Sequence, residues 1–169
     1  MKGDKQMKKI KLFSVFTILL GGLFLLSGCT SSNVEGTLEE IMEKVYADVY
    51  AGLADDQRPM LGNINVSTDM QDNIEYYIGT DEIEYEEILA SEPLMGSIAH
   101  SVVLVRMKDS ADIEAAKQQI KDNVNPRKWV CVGVPEEDVI VKSKGNLIIL
   151  IMVEDEQART KLEKGFDKL

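Results

Sequence analysis

The chain has 169 residues, 28% of them charged, with 19 Lys and Arg against 29 Asp and Glu, one His and two Cys. A net charge of -10 argues against nucleic acid as a partner, because no general positive field is available to hold phosphates. Two cysteines are too few for a disulfide framework, so the fold must rest on an apolar core.

In chain order, Lys2, Lys5, Lys8, Lys9 and Lys11 form a positive N-terminal region, and Leu12–Leu26 follows as an uncharged apolar run. Fifteen residues fall short of the roughly 20 needed to span a bilayer but suit the apolar region of a signal peptide. Leu26-Ser27-Gly28-Cys29 then resembles the lipobox of bacterial lipoproteins. That resemblance implies cleavage before Cys29 and a diacylglyceryl group on its thiol, which anchors the protein at the outer face of the cytoplasmic membrane. The expected organisation is a signal peptide over 1–28, a lipidated cysteine and short tether over 29–36, and one domain over 37–169. Losing five Lys and one Asp leaves the 141-residue mature chain with 14 basic and 28 acidic residues, a charge of -14. Such a domain stays soluble and is repelled by anionic lipid.

The domain reads as α+β. Thr37-Leu38-Glu39-Glu40 is a capping box, and Leu38, Ile41, Met42, Val45 and Val49 continue at helical spacing, predicting a helix over 37–52. Residues 53–72, with Pro59, Gly62 and several Asn and Asp, read as loop, and the wider stretch 53–83 as loop-rich. Residues 73–80 fit a short helix or a strand. Strands are expected over 84–91 and 98–107, and again over 138–143 and 147–153, the second pair joined by a tight turn at Lys144-Gly145-Asn146. Helices are expected over 110–124, capped by Asp109 or Ser110, and over 155–168, capped by Asp155. The predicted architecture is thus an N-terminal helix and a ββα-ββα unit, with a four-stranded antiparallel sheet and helices packed on it. A weak internal repeat is suggested by the two apolar runs, 102–105 and 147–151, each followed by Asp and a helix.

Few residues suggest chemistry. His100 could serve as base, pH sensor or ligand. It lacks metal-spaced partners, and Ser101 points to the opposite side of a strand, so a hydrogen-bonded structural histidine is the favoured reading. Asn125-Pro126-Arg127-Lys128-Trp129-Val130-Cys131-Val132 joins the only Trp to two cations and a thiol. It reads either as a recognition surface for an anionic or sugar ligand, or as Trp129 and Cys131 packed inward with Arg127 and Lys128 paired to carboxylates. The second is favoured, since a free Cys usually behaves as a small buried hydrophobe. Asp81, Glu82, Glu84, Glu86 and Glu87 form an acidic cluster without the glycine-hinged spacing of a calcium loop and read as a solvated face. No metal and no cofactor is expected.

Through Ala99-His100-Ser101, Arg106, the Asn125–Val132 block and Gly145 with Leu150-Ile151-Met152, the chain resembles a family of small Gram-positive lipoproteins of unassigned function. The resemblance covers about residues 84–169 and the lipobox. It implies membrane attachment outside the cytoplasm and carries no activity or catalytic residue. The expected function is a non-enzymatic binding or interaction module for an envelope protein or small ligand, with His100, Arg106, Arg127, Lys128 and Trp129 as its candidate surface. The alternative is a small cell-envelope hydrolase using His100 or an acidic pair.

Overall fold

The computed structural model describes residues 33–169; the expected signal segment and Cys29 lie outside them. The first helix, α1 (Leu38–Tyr46), begins at the predicted capping box: Thr37 N–H donates to Glu40 Oε2 (3.1 Å) and Glu40 N–H to Thr37 Oγ1 (3.2 Å). It is shorter than expected. Beyond Tyr46 the chain continues in successive turns, with Val49 N–H donating to the Tyr46 carbonyl, and Val49 is still carried into the core.

The expected loop over 53–72 instead holds an edge strand, β1 (Leu61–Asn65), and a single helical turn, α2 (Val66–Asp69). The ambiguous segment is helical, α3 (Ile74–Ile78). There follow β2 (Tyr85–Pro93), β3 (His100–Met107), α4 (Ile113–Asn123), β4 (Ile140–Lys144), β5 (Leu147–Val153) and α5 (Glu156–Asp167). Asp155 caps α5 as predicted, accepting from Ala158 N–H at 2.6 Å, whereas α4 is capped by Asp112 rather than Asp109 or Ser110. Residues 108–111 form turns that delay the helix, and the Asp112 carboxylate takes the Ala115 N–H at 3.0 Å.

The protein is α+β with one antiparallel sheet, and that sheet has five strands in the order β1-β2-β3-β5-β4, not four. β4 and β5 meet through the two-residue turn Gly145-Asn146, where Gly145 at φ 58° takes the left-handed first position. β5 is buried throughout and β3 at every position but Arg106, as continuous apolar runs require.

Each sheet face carries its own core. On one, Ile88, Ala90, Val103, Val105, Leu150 and Met152 pack with α3, α4 and Trp129. On the other, Leu89, Val102, Leu104, Ile149, Ile151 and Val153 pack with α1 and α5. A Cβ at Gly165 would lie 2.4 Å from the Val45 carbonyl oxygen, so this glycine lets α5 lie directly on α1. α4 and α5 therefore cover opposite faces. A two-fold axis exchanging the two ββα halves would put both helices on one face, so the suggested repeat is not a structural one. Among the described residues no helix is long and apolar enough to cross a membrane.

Candidate functional site

β3 alternates its side chains across the sheet, and at its first two residues this puts two polar groups on opposite faces. His100 faces α1. It is 2% exposed, and both ring nitrogens meet tyrosine hydroxyls: Nε2 lies 2.7 Å from Tyr46 Oη and Nδ1 3.4 Å from Tyr50 Oη. Tyr46 and Tyr50 are four residues apart, and their rings stack at 6.3 Å between centroids. Burial holds the imidazole down at about 4, against the opposing pull of Asp155, so His100 is neutral at pH 7. Burial also raises both phenols, Tyr50 to about 12 with the help of Asp155 and Tyr46 well beyond the ordinary range. None of the three is set up to ionise near neutrality.

Ser101 faces the other way. Its hydroxyl donates to Glu92 Oε1 (2.5 Å), a cross-strand neighbour one step beyond the Ser91–Val102 pair. Lys128 Nζ, from the loop after α4, donates to the same carboxylate oxygen (2.8 Å) and to Ser101 Oγ (3.2 Å). The Lys128 side chain is 1% exposed and its ammonium sits 4.6 Å from the Tyr76 ring centroid, 5.3 Å from Tyr77 and 5.5 Å from Trp129. Burial lowers the Lys128 amine, while Glu92 opposes that by charge and hydrogen bonding. The cation is paired and capped by ring faces, which is how a buried charge becomes tolerable.

The expected surface is therefore split. Lys128 and Trp129 turn inward, Trp129 being 8% exposed with an indole N–H that finds no partner among the described residues. Arg127 is exposed. Cys131 is exposed too, contrary to the expected buried thiol, and sits at a left-handed backbone position (φ 62°). Arg106 belongs to neither cluster. It lies at the far end of β3, donating to the Val34 carbonyl (3.0 Å) and the Gly36 carbonyl (2.7 Å). His100 and Ser101 do not meet, so they form no base–nucleophile pair. Asp81, Glu82, Glu84 and Glu86 are exposed, and among the described residues no group of three or more His, Cys, Asp or Glu could hold a metal ion.

Over the Lys128 cluster lies an apolar tip made by two joined loops. Val130 N–H donates to the Gly96 carbonyl (2.8 Å), tying the loop after α4 to the β2–β3 connection, and Leu94 N–H donates to the Met60 carbonyl (2.9 Å). Leu94 and Val130 are each 68% exposed, and Met60, Met95 and Tyr76 are exposed beside them. Of the six exposed large hydrophobic side chains among the described residues, only Leu53 falls outside this group. A cavity of about 520 Å3 lies elsewhere, near Val34 and Gly165, where Lys144 is occupied by the Asp167 and Leu169 carbonyls and Lys168 by Asp48.

Comparison with protein-family models, with curated proteins and with solved structures finds no match to this chain.

Proposed function

We propose that this chain is a non-enzymatic binding module, lipid-anchored through Cys29 at the outer face of the cytoplasmic membrane, which meets an envelope protein through its apolar tip. The observation that carries this is the exposure of Met60, Leu94, Met95 and Val130 on loops joined by hydrogen bonds, with Tyr76 of α3 exposed above the buried Lys128–Glu92 ion pair. A monomeric soluble protein scatters such side chains, and a rimmed cluster marks an interaction site.

The tip also lies at the right end of the domain. Arg106 grips Val34 and Gly36, where the chain leads back towards Cys29, and the tip sits beyond His100 at the opposite end of β3. Those ends are about 20 Å apart at strand rise. A short tether at the Arg106 end directs the tip away from the bilayer, which favours a protein over lipid as its partner.

In-cell crosslinking of the tagged, lipidated protein tests the reading, with Cys29→Ala and Leu94→Asp/Val130→Asp variants alongside. A crosslinked partner in the membrane fraction that is lost with either variant supports it. A partner retained by the tip variant, or by the unlipidated one at full yield, overturns it.

A further inference from the structure

On the other side of β3 a cavity of about 280 Å3 opens between the turns after α1, the start of β3 and the start of α5. Tyr50, His100, Glu154, Asp155 and Lys161 contribute its polar wall. This space lies on the opposite sheet face from the Lys128 cluster, and Pro59, Ile98 and Ala99, from the segments that carry the tip, complete its lining.

The geometry points to a binding site for a small organic cation, an amine or quaternary ammonium, with Asp155 as counter-charge and the Tyr50 ring as its aromatic wall. The Asp155 carboxylate spends one oxygen on capping α5 and keeps the other. The arginine on the same helix, Arg159, pairs with Asp138 (3.1 Å) and spends its other nitrogen on the Val153 (2.7 Å) and Glu154 (3.3 Å) carbonyls, leaving Asp155 without it. Lys161, the cation in the wall among the described residues, donates to the Val49 carbonyl (3.0 Å). Glu154 adds a second carboxylate, so the wall carries more negative than positive charge. Tyr50 is held through its hydroxyl by a single long contact to His100 and through its ring by stacking on Tyr46, and the half-buried side chain lines the cavity, where a ring can meet a cation. Neutral His100 adds no competing charge. The strong acidic excess of the chain draws cations towards any such cleft. The volume suits a molecule of roughly ten heavy atoms, just below the range of drug-sized pockets.

Calorimetric titration of the full chain, purified in an uncharged detergent, tests this with choline chloride and putrescine as probes and sodium acetate as competitor at matched ionic strength. Asp155→Asn keeps a good helix cap while removing the charge; Tyr50→Leu removes the ring. The inference predicts one saturable site for at least one of the two cations, weakened about tenfold or more by Asp155→Asn and also weakened by Tyr50→Leu. It predicts no displacement by acetate and no effect of Leu94→Asp. Absence of saturable binding, full affinity in Asp155→Asn, or competition by acetate would each overturn it.

Discussion

Two polar clusters sit back to back at the start of β3, and they solve burial in opposite ways. On the Ser101 side the polar groups are met by one another: Lys128 Nζ donates to Glu92 Oε1 beneath aromatic rings. On the His100 side the charge is given up, and a neutral imidazole shares hydrogen bonds with two phenols. The first arrangement binds a loop rigidly to the sheet and leaves an apolar surface outside. The second leaves a cleft beside it. Adjacent residues on one strand thus brace a surface on one face and line a cavity on the other.

The contrast breaks most visibly at the ion pair. Removing one partner, as in Glu92→Leu or Lys128→Met, leaves a buried unpaired charge and should cost about 3–5 kcal/mol. The double substitution should recover most of that loss, and urea unfolding of the four proteins measures the coupling. A similar cost for the double variant would mean that packing, not charge, dominates.

The His100 side should respond to acid instead. The imidazole is held near 4 when folded against 6.5 as its ordinary value. Its contribution is therefore complete above about pH 6.5 and is lost as the pH falls through about 4, because the unfolded chain takes up the proton first. The expected loss is about 3 kcal/mol, and His100→Gln should flatten that part of the stability–pH curve. An unchanged curve would show that His100 is charged or exposed in the folded state.

A smaller effect is expected at the other end of β3. Arg106→Ala removes two charge-assisted bonds to the Val34 and Gly36 carbonyls and should cost about 1.5–3 kcal/mol, with hydrogen exchange rising over 34–40. The tip itself should be almost silent, Leu94→Asp changing stability by no more than about 0.5 kcal/mol.

How much of this was legible in the sequence depends on how local the cause is. The capping box at Thr37, the Asp155 cap and the apolar runs of β3 and β5 are short-range signals, and each formed as read. β1 was hidden because Gly62, Asn63 and Asn65 are poor strand formers and the strand exists by pairing with β2. The site divides in the same way. Trp129 and Lys128 stood out by composition, but Glu92 comes beside Ser101, where Lys128 meets it, only through the β2–β3 register. Tyr46 and Tyr50 carried a usable signal, since a spacing of four on a helix puts two rings on one face, yet only the tertiary fold brings His100 between them. Nothing local announces the left-handed backbone at the exposed Cys131.

The most direct test of the binding face is site-specific photo-crosslinking in cells. A photoreactive residue is placed at Leu94 or Val130 in the lipidated protein, and at Lys164 on α5 for comparison. The account predicts one discrete adduct from both tip positions and none from Lys164, with the adduct lost when Met95→Asp is added. Adducts of equal yield from all three positions, or none from the tip while Lys164 reacts, would contradict it.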